Sequence, residues 1–247
     1  MMTATWNGAV VVTGAANGIG RAVAQRLHFD GRTVIGVDRV GRYDAPFAME
    51  SLDLSELDAI APCLHQIEET YGPLTALVNV AGIYERIDPA SFSLDTYRRV
   101  LTVDLDAPIV MAAAAAELMA SRGYGRIVNV TSIHGEFGER GGLAYDVAKG
   151  GLNQATRTLA LEYADRGVLC NAVAPGFVDT EMAMVGGVLE STTDAFRRIY
   201  VDAGKLPLGR AGTPDDIAGL VAWLCSSDNT YVTAQVIRID GGLTATF

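Results

Sequence analysis

Tyr145 and Lys149 lie four residues apart in a stretch, Leu143 to Ala164, that reads as a helix. This spacing puts a phenol and an ammonium on one helix face, a turn apart. A positive charge so placed favours phenolate and lowers the tyrosine pKa from about 10 toward the range of a general base. The only lysines in the chain are Lys149 and Lys205, the remaining positive charge being arginine. Thirteen residues before Tyr145, the apolar strand Val128-Asn129-Val130-Thr131 ends in Ser132, a hydroxyl able to bond a carbonyl or alcohol oxygen beside the phenol. The set predicts proton transfer at an oxygen.

A second constellation lies near the amino terminus. Ala9 to Thr13 is an unbroken apolar run that feeds the turn Gly14-Ala15-Ala16-Asn17-Gly18-Ile19-Gly20 and opens into a helical pattern. Glycines at this point let the backbone turn tightly and approach a pyrophosphate, which then sits at the positive helix N-terminus. At the end of the next strand, Asp38 can accept the hydroxyls of an adenosine ribose and repel a 2′-phosphate, which predicts NAD in preference to NADP. Arg39 beside it is the residue that would suit a phosphate. Asp53 closes a short strand, and Asn79-Val80-Ala81-Gly82 closes the fourth, offering a polar contact and a floor of small residues for a nucleotide.

The elements that must position these groups alternate along the chain. Strands are predicted at Ala9 to Thr13, Thr33 to Asp38, Ala76 to Asn79, Arg126 to Thr131, Leu169 to Val173 and Val236 to Ile239, with a shorter one ending near Asp53. Helices are predicted after Gly18, after Ser55, around Thr96, through Ala112 to Ala116, over Leu143 to Ala164 and over Pro214 to Cys225. The pattern predicts an α/β fold: a Rossmann-type, doubly wound parallel sheet with helices on both faces, in a single domain spanning residues 1–247. Ligands bind such sheets beyond the carboxyl ends of the strands, where the motifs lie.

Composition narrows the function. A net charge of −10 over 247 residues argues against nucleic acid, and no apolar run reaches membrane-spanning length. The opening Met1-Met2-Thr3-Ala4-Thr5-Trp6 lacks the pattern of a signal peptide, so a cytoplasmic protein with a small-molecule substrate is expected. Cys63, Cys170 and Cys225, odd in number and set in apolar patterns, read as buried free thiols, with no metal site.

Taken together, these motifs resemble the short-chain dehydrogenase/reductase family nearly end to end. Its TGxxxGIG pattern is met by Thr13, Gly14, Gly18, Ile19 and Gly20. Its NNAG segment is similar to Asn79 to Gly82, with Val80 substituted, and its serine and YxxxK pair match Ser132, Tyr145 and Lys149. The resemblance implies that Pro175, Gly176, Val178 and Thr180 help hold a nicotinamide, through the Val178 backbone and the Thr180 hydroxyl. It also implies that Lys149 holds the nicotinamide ribose, and that the protein forms a homotetramer through the Tyr145 to Ala164 helix and the final strand and tail. One position departs: where most members carry an asparagine that positions a proton-relaying water, this chain has Asp104, which accepts but cannot donate when ionised. Asp104 is read as a tolerated variant that tightens Lys149 through charge, the alternative being a sign of weakened turnover.

The implied activity is hydride transfer between NAD(H) and a secondary alcohol of polyol, sugar or hydroxy-acid type. Two alternatives are a 3-oxoacyl thioester reductase acting on a carrier-protein or coenzyme A substrate, and a non-catalytic nucleotide sensor or assembly subunit. The segment from about 179 to 212 is expected to form a substrate lid containing Met182. His134 and Glu136, just after Ser132, are the expected polar substrate contacts, with Glu85 and Arg86 after the fourth strand as further polar candidates.

Overall fold

The computed structural model describes residues 8–40 and 44–245. The expected leader reading of Met1 to Trp6 and the last residues of the expected tail interface lie outside them.

Strand β1 (Ala9–Thr13) is buried along its whole length, as an unbroken β-branched run requires. It pairs in parallel with β2 (Thr33–Asp38) on one side and β4 (Leu74–Asn79) on the other. With β3 (Ala48–Ser51), β5 (Gly125–Val130), β6 (Val168–Pro175) and β9 (Val236–Ile239), these form a seven-stranded parallel sheet in the order β3-β2-β1-β4-β5-β6-β9. The direction of winding reverses between β1 and β4. There the loops after the two strands part and leave a crevice at the strand ends.

Successive residues of a strand point to opposite faces, and β1 divides its side chains between two cores accordingly. Val10 and Val12 pack with Val23 and Leu27 of α1 (Gly18–Phe29) and with Ile217, Val221 and Leu224 of α7 (Pro214–Leu224). Val11 faces the other way, onto Ile60, Leu64 and Ile67 of α2 (Leu57–Tyr71) and Met111 to Met119 of α4 (Ala107–Ala120). Helix α5 (Leu143–Tyr163) completes this second layer.

Helix α3 (Leu94–Leu101) continues into α4 through a π-helical turn at Thr102–Asp106. Between β6 and α7 the chain makes a two-stranded antiparallel hairpin, β7 (Met184–Val185) and β8 (Val188–Leu189), then a single turn, α6 (Asp194–Phe196), running into a second π-helical turn. This segment packs through its own small cluster of Phe177, Phe196, Tyr200, Leu206 and Leu243. Among the described residues no helix is long and apolar enough to cross a membrane, and no group of His, Cys, Asp or Glu side chains has the arrangement of a metal site.

Candidate active site

The crevice is floored by backbone. Gly14 has a φ of +67°, and a Cβ there would fall 2.9 Å from the Cα of Ala81. A Cβ on Gly20 would fall 2.2 Å from the Gly14 carbonyl oxygen. Only glycine permits this close passage of the loops after β1 and β4, and it leaves main chain, at the N-terminus of α1, as the lining. Thr13 joins the two loops: its hydroxyl accepts the Val80 and Ala81 N–H groups at 2.9 and 3.1 Å. Thr180 comes from the far side, its methyl about van der Waals distance from where a Gly18 side chain would be. Asn17 donates to Glu181 at 3.4 Å, so the glycine turn meets the beginning of the 179–212 segment.

Asp38 sits at the end of this cradle. One carboxylate oxygen accepts the Ala16 N–H at 3.0 Å and the other accepts the Val40 N–H at 3.2 Å. Arg39 is exposed and lends its charge to Asp53, whose carboxyl is lowered first by the Ser55 N–H and hydroxyl. Asp53 thus shapes the approach to α2 as well as lying at the strand end. Asn79 is buried, and its amide donates to the Pro108 carbonyl and to Asn129 at 3.1 and 2.9 Å. Asn129 in turn donates to Thr156 at 2.9 Å. This chain of side chains ties β4, β5 and α5 together, and what Asn79 offers the crevice is its position. Val178 forms a bridge with Gly212, and Gly176 closes on Asp240, so the loop after β6 is pinned at both ends.

Tyr145, Lys149, Ser132 and Asp104 converge beside the crevice. Ser132 is buried at the end of β5 and its hydroxyl bonds the Tyr145 phenol, while accepting the His134 N–H at 3.2 Å. The Lys149 Nζ lies 5.3 Å from the centre of the Tyr145 ring, 3.2 Å from Asp104 Oδ2 and 3.5 Å from the Val130 carbonyl oxygen. Asp104 is carried by the π-helical turn, a distortion often found where a side chain must be re-aimed. Its second oxygen accepts the Ile83 N–H at 2.8 Å. Gly82 makes room for the pair, since a Cβ there would fall 2.8 Å from Asp104 Oδ2.

Electrostatics corrects one sequence reading. Lys149 does favour the phenolate, but burial outweighs it and Asp104 adds to the opposition, so the Tyr145 pKa is raised rather than lowered. Helix spacing shows the ammonium; it does not show the low-dielectric surroundings or the second charge. Burial opposes the charge on Lys149 as well, yet Asp104 and Tyr145 overcome it and hold the ammonium protonated. The arrangement can bind an oxygen atom between a hydroxyl and a phenol and move one proton to or from it.

The structure separates the three expected substrate residues. His134 lies against Tyr145, ring centres 6.0 Å apart, and its Nδ1 is 3.0 Å from Asp146. Met182 is half exposed on the turn Glu181–Ala183. Glu136 turns away and pairs with Arg238 of β9. Glu139, in the same loop, instead bonds the Tyr84 hydroxyl at 2.9 Å, and Tyr84 packs edge-on against Tyr145 with centres 5.3 Å apart. Neither Tyr84 nor Glu139 was identified from sequence. The available signal was the length of the loop between Ser132 and Tyr145, which must fold back over the start of α5.

Known proteins match this framework. The family model of enoyl-(acyl carrier protein) reductase covers residues 14–244. The chain is similar to the 3-oxoacyl-(acyl-carrier-protein) reductase FabG of Aquifex aeolicus, 34% identical over 94% of this chain and 96% of that one. It superposes on the aldohexose dehydrogenase of Thermoplasma acidophilum with a TM-score of 0.89 and 29% identity, covering 98% of this chain and 95% of that one. A 4-hydroxyisoleucine dehydrogenase complexed with NADH gives a TM-score of 0.86 at 27% identity, covering 98% and 100%. Agreement in sequence and in strand order over almost the whole length makes the chain a member of the short-chain dehydrogenase/reductase family, an oxidoreductase acting on CH–OH donors with a nicotinamide cofactor.

Proposed function

We propose that the protein interconverts a secondary alcohol of polyol, sugar or hydroxy-acid type and its carbonyl, using NAD(H). The observation that carries this reading is the convergence of Ser132 on the Tyr145 phenol, with the Lys149 ammonium 5.3 Å from the Tyr145 ring and paired with Asp104, beside a bare-backbone cradle.

The residues present suit the cofactor. Gly14 to Gly20 offer backbone to a pyrophosphate, Asp38 and Asp53 the polar groups of the adenosine end, and Asn79, Ala81 and Gly82 the floor. Pro175, Gly176, Val178 and Thr180 lie at the nicotinamide end. Asp38 is already held by two N–H groups, so its charge is fixed in place: each oxygen keeps acceptor capacity for a ribose hydroxyl, and a 2′-phosphate is repelled. When bound, the nicotinamide accepts or donates the hydride. Ser132 orients the substrate oxygen, Tyr145 takes its proton during oxidation and returns it during reduction, and Lys149 keeps a positive charge beside the phenolate that results. Asp104 fixes the ammonium. The segment 179–212 closes over the substrate as a lid.

A 3-oxoacyl thioester reductase remains a second reading, favoured by the similarity to FabG. The Glu139 carboxylate beside Tyr84 and His134, the two rings packed on Tyr145, with its charge reaching Glu190 of the 179–212 segment, speaks for a substrate rich in hydroxyl donors. Assembly as a homotetramer belongs to the proposal too, supported by Val147 and Leu161, apolar residues that α5 leaves exposed.

The test is NADH appearance on adding NAD or NADP to purified protein with sugars, polyols, hydroxy acids and simple secondary alcohols, alongside Tyr145→Phe. NAD-dependent turnover that falls at least about 100-fold in Tyr145→Phe supports the reading. Oxidation of NADPH, and not of NADH, when a 3-oxoacyl thioester is supplied in place of the alcohols replaces it with the reductase. Tight cofactor binding with no turnover on any substrate replaces it with the sensor.

A further inference from the structure

The loop that follows Ser132 is built around one carboxylate. The short turn Ile133–Gly135 follows β5, and the loop beyond it folds back over α5. Asp146, next to Tyr145 in sequence, holds this loop in two places: one oxygen lies 3.0 Å from His134 Nδ1 and the other accepts the Glu139 N–H at 2.8 Å. The Glu139 side chain is thereby delivered between two rings that both pack edge-on to Tyr145. Tyr84 donates its hydroxyl to Glu139 Oε2 at 2.9 Å, and His134 Nε2 is 3.8 Å from the same oxygen. The other oxygen, Oε1, makes no hydrogen bond within the described residues, and the side chain is 45% exposed.

Residues of the 179–212 segment face the same opening. The charge of Glu139 reaches Glu190 and Tyr200, both of which burial pushes up first. Arg86 is the cation nearby; its guanidinium donates to the Arg140 carbonyl at 2.8 Å and draws Glu190 back down. Carboxylates accept hydrogen bonds and cannot donate them. A ligand group meeting Glu139 must therefore be a donor, and among the alcohols of the proposed function the donor at hand is a second hydroxyl.

We infer that Glu139 is a specificity-determining residue whose free oxygen accepts a hydrogen bond from a second hydroxyl next to the reacting carbon, so that the substrate is a vicinal diol or polyol. This rests on the alcohol-oxidoreductase reading above and narrows its substrate class. Tyr84 is the positioning residue: by occupying Oε2 it fixes which oxygen turns to the substrate. A site arranged to bond a substrate hydroxyl discriminates strongly against the analogue that lacks it.

The experiment compares kcat/KM for matched pairs of alcohols, cyclohexanol against cis-1,2-cyclohexanediol and 2-butanol against meso-2,3-butanediol, in wild type, Glu139→Gln and Glu139→Ala. Trans-2-aminocyclohexanol serves as the cationic probe. The expected result is a diol preference of about tenfold or more in wild type that collapses in Glu139→Ala and is partly kept in Glu139→Gln, whose carbonyl still accepts. An equal fall for both members of each pair overturns the inference, since it marks a residue that supports Tyr145 alone. Wild-type turnover with no diol preference, or with the amino alcohol preferred, overturns it while leaving the oxidoreductase reading standing. Turnover of no alcohol with either cofactor overturns both.

Discussion

The Asp104 carboxylate stands 3.2 Å from the Lys149 ammonium, with the two side chains 0% and 4% exposed. A buried ion pair of this kind is costly to break from one side, because the remaining charge has no water to turn to. Asp104→Ala is expected to lower stability by about 3–5 kcal/mol, read by chemical denaturation. Asp104→Asn keeps an acceptor for the Ile83 N–H and removes the negative charge that raises Tyr145. Alcohol oxidation, which needs the phenolate, should therefore reach its plateau at lower pH in Asp104→Asn than in wild type. A pH profile of kcat/KM that does not move, or moves to higher pH, contradicts this account of Asp104.

Asp38→Ala removes the partner of the Ala16 N–H and, on the proposed function, the ribose acceptor. The ratio of kcat/KM for NAD over NADP should fall by about tenfold or more, through loss of NAD binding and of repulsion toward a 2′-phosphate. Initial rates with the two cofactors measure it. An unchanged ratio moves cofactor selection away from Asp38.

Burial pushes the thiols of Cys170 and Cys225 up to about 12 and raises that of half-buried Cys63. Thiolate is the reactive form. Native protein at pH 8 should show at most one slowly reacting thiol per chain toward a disulfide reagent, and all three after unfolding. Rapid labelling of two in the native protein would show that the sheet opens more readily than its packing implies.

Helix α7 begins with a reciprocal cap in which Thr213 and Asp216 bond each other's backbone N–H, and Arg210 grips Asp216 at 2.7 and 3.0 Å. Thr213→Ala should cost about 0.5–2 kcal/mol. The Asp216 carboxyl is held well below its usual range, by the Arg210 bonds first. A carboxyl lowered in the folded state adds stability above its unfolded pKa of about 4 and loses it as pH falls. The stability gap between wild type and Asp216→Asn should accordingly be full at pH 7 and narrow below about pH 4, as followed by urea melts.

What could be read from the sequence depended on how local the cause was. β1, β2 and β9 occupy the predicted residues because short runs rich in β-branched residues and bounded by turn residues leave little choice of register. β4 starts two residues earlier than expected, at Leu74, since the polar Thr75 hides its strand character by bonding the Ala9 carbonyl. The Tyr145 and Lys149 pairing was legible because four residues make a helix turn. Proximity in sequence to Ser132 is what points to Glu136. Its actual partner, Arg238, is 102 residues away, and no local pattern announces that pairing. The hairpin Met184 to Leu189 and both π-helical turns were likewise missed, the turns because they preserve helical composition while changing the hydrogen-bond step.

The π-helical turn at Thr102–Asp106 accommodates extra backbone within an otherwise continuous helical rod. An α-helix advances roughly 100° per residue, so this insertion sets the rotational phase between Arg98 and Arg99 upstream and the Met111, Ala112, Ala115 face that meets the sheet downstream. Removing one residue from the turn would let the rod close into regular α-helix. It would also force a choice: either the alanine face loses its seat on the sheet or Asp104 swings away from Lys149. The rod therefore tolerates substitutions along its exposed side far better than any change in its length.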